Sequence, residues 1–198
     1  MVVATHLAWC GTCRETNAAA EATGGVLLAE TEPLECSGDL LERTLAAVEG
    51  RNRAPRDGAI AGGGGHEAGP GLDLPEPLRG YHARMGGPRW RRLAPGVRQI
   101  PLIRRARGGG TTRLLQIAPG RTMPRHGHAG LELAIVLTGS YRDELGLFGR
   151  GDLADLDQEV RHQPRADERE GCVCLLATEG PLRFEGRLLR WIQPALGF

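Results

Sequence analysis

The stretch GRTMPRHGHAGLELAIVLTG, residues 120–139, decides the fold. His126 and His128 are two residues apart, so on a β-strand both side chains project from the same face. Glu132 shares that parity and joins them if strand pairing continues past the turn at Ala129 and Gly130. Two imidazoles and one carboxylate that converge inside a barrel form a good set of ligands for a divalent transition metal.

A third imidazole follows downstream of this stretch. The pair Gly151 and Asp152 predicts the start of another strand, and His162 closes that strand. A His-x-His pair alone could equally be an accident of the surface. Together with Glu132 and His162, however, it predicts a metal site whose ligands are His126, His128, Glu132 and His162, and zinc is the expected ion.

Short apolar runs separated by Gly, Pro and Asp make up most of the chain from Leu78 onward. Runs of this length between turn signals are typical of an all-β sandwich or barrel. The predicted strands include residues 97–103, 114–117, 133–138 and 172–177. The expected fold class is therefore mainly β in the C-terminal part, preceded by a small α-helical region.

The N-terminus carries a second candidate metal site, His6-x3-Cys10-x2-Cys13. Positions i, i+4 and i+7 of a helix lie on one face, so these three side chains can meet around one Zn²⁺ ion. A Cys-x-x-Cys pair can instead be a redox pair, but no βαβ pattern surrounds it here. Structural zinc requires a fourth ligand, which Cys36 could supply unless it is a plain buried or loop thiol.

The predicted division of the chain has three parts. Residues 1–49 form a helical zinc-binding unit, in which Asp39 caps a second helix with an apolar stripe of Leu41, Leu45 and Val48. In residues 50–77, 8 of 28 positions are Gly and 4 are Pro, which indicates a flexible linker. Residues 78–198 form the β domain.

Composition narrows the classes of function. The chain has 40% hydrophobic and 25% charged residues, and its net charge of +1 gives no reason to expect a nucleic-acid surface. No run of about 20 apolar residues predicts a transmembrane helix, and the N-terminus does not resemble a secretory signal. We therefore expect a cytoplasmic protein, in which the five cysteines are metal ligands or buried thiols rather than disulfides.

The two motifs around His126 and His162 resemble those of the cupin superfamily, although Asp157–Arg161 replaces the usual Pro-x-Gly before the second His. The combination with His-x3-Cys-x2-Cys resembles the ChrR-type zinc-binding anti-sigma factors. This likeness extends through segments of the C-terminal half, namely residues 90–93, 95–97, 139–144, 151–152 and 172–175. It covers about four-fifths of the chain.

The resemblance implies a function in transcription regulation during a stress response. Residues 1–49 would form an anti-sigma domain that binds an extracytoplasmic-function sigma factor and blocks its contact with core RNA polymerase. Residues 78–198 would form a ChrR-like cupin domain that serves as the sensor, and no enzyme activity is implied. Family members have a further helix that supplies a His ligand upstream of this motif; it is missing from this sequence, so residues 1–49 are expected to be a shortened domain.

Two other classes of function remain open at this point. Cupin metalloenzymes such as dioxygenases and isomerases share the same ligand set, so the ligands alone do not separate an enzyme from a regulator. An enzyme also needs an acid or base beside its substrate, yet Tyr141, Asp143 and Glu144 are more easily interpreted as a turn between strands. The metal could also serve stability alone. Cys172 and Cys174 share a strand face and are either core thiols or neighbours of the metal.

Overall fold

The computed structural model describes residues 1–53, 74–84, 89–103 and 110–185. The chain divides into two compact units, one of Met1–Arg14 with Pro70–Phe198 and one of Glu15–Gly69. These boundaries differ from the predicted ones, because the first 14 residues belong with the β domain rather than with the helical region that follows them.

Four helices lie in the described residues: α1 (Val2–Trp9), α2 (Gly11–Ala29), α3 (Leu40–Arg53) and α4 (Glu76–Arg84). Cys10 separates α1 from α2, because its backbone is extended, with φ −91° and ψ 110°. The helical composition of residues 2–22 therefore forms two helices rather than one.

Eleven strands follow in the described part of the chain, and they confirm the mainly β fold class. They are β1 (Arg91–Ala94), β2 (Val97–Ile103), β3 (Thr111–Ile117), β4 (His126–His128), β5 (Glu132–Asp143), β6 (Gly146–Gly149), β7 (Leu153–Leu156), β8 (Arg161–His162), β9 (Arg165–Ala166), β10 (Cys172–Thr178) and β11 (Leu182–Phe184). Each predicted run lies on a strand, and the run at residues 97–103 coincides with β2.

Every strand pair in the described ranges is antiparallel, and these pairs build two sheets. The larger sheet has the order β1-β2-β3-β10-β5-β6, and β7 and β9 also pair with β5. The smaller sheet has the order β11-β4-β8. The 12-residue strand β5 pairs with β10 from Glu132 to Gly139, with β7 near its start, and with β6 and β9 near its end.

Side chains alternate between two apolar clusters on the two faces of the larger sheet. We call these the inner cluster, which contains Cys174 of β10, and the outer cluster, which contains the next residue, Leu175. Val2 of α1 and Leu78 of α4 complete the outer cluster, so these two helices cover that face of the sheet. Burying a side chain such as Leu78 contributes about 1.5–3 kcal/mol.

Apolar contact with the barrel explains why the first helix groups with it. Helix α1 packs against α4, β5 and β10, and Val2 and Thr5 are buried. Leu74 is also buried, at 7% exposure, so residues 74–77 belong to the barrel unit rather than to a linker. Residues 54–73 of the predicted linker, with His66, lie outside the described residues.

The unit Glu15–Gly69 contains the predicted second helix as α3. Asp39 precedes its first residue, its carbonyl accepts the Arg43 amide at 3.0 Å, and its carboxylate pairs with Arg43 at 3.5 Å. The predicted apolar stripe is exposed: Leu41 is 70%, Leu45 54% and Val48 51% accessible. None of the helices in the described ranges is both long and apolar enough to span a membrane.

Candidate metal centres

The four predicted ligands of the barrel lie together and are buried. His126 and His128 lie on β4, and His162 on β8 is the direct cross-strand partner of His126. One ligand atom from each of the three histidines and from Glu132 lies within 4.8 Å of the others. Glu132 reaches this cluster differently from what we expected: it begins β5 in the larger sheet rather than continuing the pairing of β4.

Hydrogen bonds donated by the three Nδ1 nitrogens fix the orientation of the histidine rings. The Nδ1 atom of His126 faces Pro124 O at 2.8 Å, and that of His128 faces Asp157 O at 3.3 Å. The Nδ1 atom of His162 faces a carboxylate oxygen of Asp143 at 2.8 Å. All three partners accept hydrogen bonds, so each Nδ1 carries the proton and each Nε2 presents a lone pair to the centre of the cluster.

This convergence of lone pairs fits a bound cation. The Nε2 atoms of His126 and His162 are 3.1 Å apart, although neither nitrogen has a proton to share in these tautomers. His128 Nε2 is buried without a hydrogen-bond partner and lies 3.6 Å from a carboxylate oxygen of Glu132. An unpartnered buried nitrogen costs about 1–3 kcal/mol, and coordination to a metal removes that cost.

Burial dominates the electrostatics of the cluster. It raises the pKa of Glu132 to about 7, although the nearby Arg113 guanidinium acts in the opposite direction. It also lowers the pKa of His126 to about 4 and lowers the pKa of His128. Burial therefore favours neutral imidazoles at His126 and His128, and a cation at the centre of the cluster would favour the ionised form of Glu132.

Asp143 makes a contact with the ligand cluster that the sequence did not reveal. The sequence predicts it in a turn, but its side chain is fully buried and its carboxylate orients His162. The other carboxylate oxygen accepts the amide of Leu145 at 2.9 Å, which holds the side chain in place. It precedes its partner by 19 residues, so no local spacing could have indicated the contact.

A cavity of about 40 Å³ adjoins the ligand cluster. It holds a few water molecules at most, because each requires roughly 10–15 Å³ on this scale. Its walls are mainly apolar, and they include Tyr141, Met123 and Cys174 beside the ligands. The Sγ atoms of Cys172 and Cys174 are buried 3.3 Å apart, which agrees with the interpretation of both as core thiols.

The three N-terminal candidate ligands also lie together, and they are half-buried. His6, Cys10 and Cys13 each offer a ligand atom within 4.8 Å of the others. His6 Nε2 is 3.2 Å from Cys13 Sγ, while His6 Nδ1 donates to the backbone oxygen of Gly151 at 2.9 Å. The backbone N–H of Cys13 lowers the pKa of the Cys10 thiol, whereas the Cys10 side chain raises the pKa of Cys13.

The geometry of this cluster differs from the predicted helical face. The chain leaves the helix at Cys10, and its amide still donates to His6 O at 2.9 Å. This break places the Cys10 thiol beside Cys13 rather than along a continuous helix. Cys36, the candidate fourth ligand, is exposed, and its thiol donates to Leu34 O at 3.5 Å.

Comparison with known proteins agrees with the predicted fold and family. Residues 81–182 match the ChrR cupin-like domain. The chain is 40% identical to the anti-sigma-E factor ChrR of Cereibacter sphaeroides over 195 residues. This alignment covers 98% of this chain and 86% of the relative. The chain belongs to the ChrR family. The predicted resemblance is thereby confirmed.

A solved structure extends the likeness to three dimensions. The crystal structure of Rhodobacter sphaeroides SigE in complex with the anti-sigma ChrR matches with a TM-score of 0.66 and 40% identity. The match covers 89% of this chain and 86% of that chain. Within the described residues of this ChrR-family chain, two groups of side chains lie close enough together to hold a metal ion, one in the cupin barrel and one at the N-terminus.

Proposed function

We propose that this chain is an anti-sigma factor that sequesters an extracytoplasmic-function sigma factor and keeps it from core RNA polymerase. The observation that carries the proposal is the 40% identity to a named anti-sigma factor, which extends over 98% of the chain and not over the barrel alone. The related ChrR structure is of a complex with SigE. The proposal places the chain in the cytoplasm, where sigma factors act.

Exposed apolar side chains of the unit Glu15–Gly69 supply a surface for such a partner. Helix α2 ends with three consecutive exposed residues, Val26, Leu27 and Leu28, at 60–73% exposure. The exposed stripe of Leu41, Leu45 and Val48 lies on α3. Large apolar side chains exposed in such numbers are typical of protein interfaces, and buried apolar anchors supply much of the binding energy there.

We further propose zinc for both centres. In the barrel, His126, His128, Glu132 and His162 would hold it, since neutral imidazoles and one carboxylate suit this ion. At the N-terminus, His6, Cys10 and Cys13 would hold it through one imidazole and two thiolates. The N-terminal ion would organise the start of the sigma-binding region, and the barrel would be the sensing half.

The candidate ligands and the mainly apolar cavity beside them do not by themselves separate a sensor from an enzyme. The 40% identity to a named anti-sigma factor over 98% of the chain favours the regulator over the dioxygenase or isomerase alternative.

Binding of a purified sigma factor to the full chain tests the proposal. The probe is the extracytoplasmic-function sigma factor encoded nearest to this gene, and isothermal titration gives the Kd. Leu45→Asp should weaken binding by about 30-fold or more, since loss of a central apolar anchor costs about 2 kcal/mol. Leu147→Asp on β6 is the matched control, because Leu147 is similarly exposed, at 59%, and should leave the Kd unchanged. Absence of binding by the unaltered chain would overturn the proposal.

A further inference from the structure

The turn between β6 and β7 lies against the N-terminal metal cluster. Gly151 in this turn accepts, through its backbone oxygen, the hydrogen bond from His6 Nδ1 at 2.9 Å. With its proton directed to that carbonyl, His6 presents the Nε2 lone pair toward Cys13 Sγ. The barrel thus fixes both the tautomer and the ring orientation of an N-terminal ligand that is 145 residues away in sequence.

A second contact holds α1 on the same turn. The guanidinium carbon of Arg150 lies 5.0 Å from the centre of the Trp9 ring, within the range of a cation–π interaction. Gly151 has a φ of +92°, and a Cβ atom on it would lie 3.9 Å from the Trp9 ring. Space therefore permits a side chain there, but the backbone conformation favours glycine.

The same turn is tied to the strand that carries a barrel ligand. The Gly151 amide donates to Val136 O at 2.9 Å, and the Val136 amide donates to Asp152 O at 3.1 Å. Val136 lies four residues after Glu132 on β5, and it is fully buried. Two backbone hydrogen bonds therefore connect the carbonyl that orients His6 to the strand that begins with Glu132.

We infer that the Arg150–Gly151 turn is an accessory part of the N-terminal metal centre and that it links the two metal centres energetically. The inference rests on the proposed metal sites and identifies the element through which one affects the other. Metal in the barrel fixes Glu132 and the start of β5, which keeps Gly151 O in position for His6. Loss of that metal releases the restraint and weakens the N-terminal site.

Such linkage is reciprocal, because it is a property of the two binding equilibria. If metal in the barrel raises the N-terminal affinity by some factor, metal at the N-terminus raises the barrel affinity by the same factor. An event at the barrel metal can therefore lower the N-terminal affinity with no ligand reaching His6 directly. Outer hydrogen bonds of metal-bound histidines change metal affinity by about 10–100-fold, so one such bond is enough to transmit the effect.

Cobalt(II) titration of the full chain tests the inference. Sulfur-to-cobalt charge-transfer absorption reports the N-terminal site, because the barrel ligands His126, His128, Glu132 and His162 contain no sulfur. Cys10→Ser with Cys13→Ser assigns the band by removing it. Absence of the band from the unaltered chain would overturn the N-terminal site itself and this inference with it.

The decisive variant is Gly151→Ala, which strains the turn and displaces its carbonyl. It should weaken N-terminal Co²⁺ binding by about 10-fold. Gly120→Ala is the matched control, since Gly120 also has a positive φ, +67°, and open space for a Cβ atom. It should leave the cobalt affinity unchanged. Equal affinities for Gly151→Ala and the unaltered chain would overturn the inference.

Two further measurements keep the test decisive if Gly151→Ala disturbs the barrel. Arg150→Gln removes the charge over Trp9 at a surface position and should weaken N-terminal cobalt binding severalfold. The double variant His126→Ala with His128→Ala empties the barrel site. It should weaken cobalt binding at the N-terminal site by at least about 5-fold. If the cobalt affinity of the N-terminal site changes in neither variant, the two centres are independent and the linkage is refuted.

Discussion

Single nitrogen and oxygen atoms determine what the barrel can bind. Three imidazoles donate outward through Nδ1, and their Nε2 atoms face one point beside Glu132. The His-x-His parity and the nearby carboxylate are local features, so the sequence predicted that His126, His128 and Glu132 lie together, and the second motif added His162. Asp143 and the carbonyl of Gly151 act through space on residues far along the chain, and no spacing rule could have found them.

Replacement of Asp143 should weaken the barrel site without destroying it. Asp143→Ala removes the acceptor for His162 Nδ1, so the imidazole can rotate or change its tautomer. We expect metal affinity to fall by about 10–100-fold in a chelator competition, with a smaller loss for Asp143→Asn. Asp155→Ala, at an exposed position of β7, is the control. An unchanged affinity in Asp143→Ala would show that His162 needs no outer partner.

Removal of two ring ligands should empty the barrel site alone. His126→Ala with His128→Ala leaves Glu132 and His162, too few protein ligands to hold a divalent ion firmly. Elemental analysis of the full chain after dialysis should find metal at the N-terminal site only. Full metal content in this double variant would contradict the assignment of both histidines.

At the scale of elements, β5 and the first helix organise both centres. Strand β5 begins with one candidate metal ligand, Glu132, and ends with Asp143, which orients another candidate, His162. The strands were predictable because apolar runs between turn signals are local patterns. The break at Cys10 and the docking of α1 on the barrel were not, since they depend on tertiary contacts of Val2 and Thr5 that a helical composition does not encode.

Helix α4 should contribute substantially to the stability of the barrel unit. Leu78 is fully buried in the outer apolar cluster, where it packs with strand residues such as Ile135. Leu78→Ala should lower the free energy of unfolding by about 2–5 kcal/mol and the melting temperature with it. Leu145→Ala, at a position 54% exposed, should change the free energy of unfolding by less than about 0.5 kcal/mol. Similar melting temperatures for the two variants would mean that α4 does not pack on the barrel in solution.

At the scale of the whole molecule, the chain combines a barrel unit with a helical unit that exposes apolar residues. The N-terminal metal cluster lies within residues 1–14, which group with the barrel, although α2 then continues into the helical unit. The sequence placed this cluster in the helical unit because it follows chain order. The structure groups these three residues with the barrel unit instead, and Cys13 among them lies on α2.

The N-terminal cluster should therefore be required for binding of the sigma factor but not for folding of the barrel. Cys10→Ser with Cys13→Ser removes both thiolates, and with them the binding energy that a structural metal contributes to local folding. We expect the Kd of the full chain for its sigma factor to rise by about 10-fold or more. The barrel should stay folded, and its metal affinity should fall only by the factor that reciprocal linkage sets. Cys36→Ser, at an exposed cysteine, is the matched control and should leave the Kd unchanged. If the double variant loses its N-terminal metal yet binds the sigma factor as tightly as before, that metal has no part in forming the sigma-binding surface.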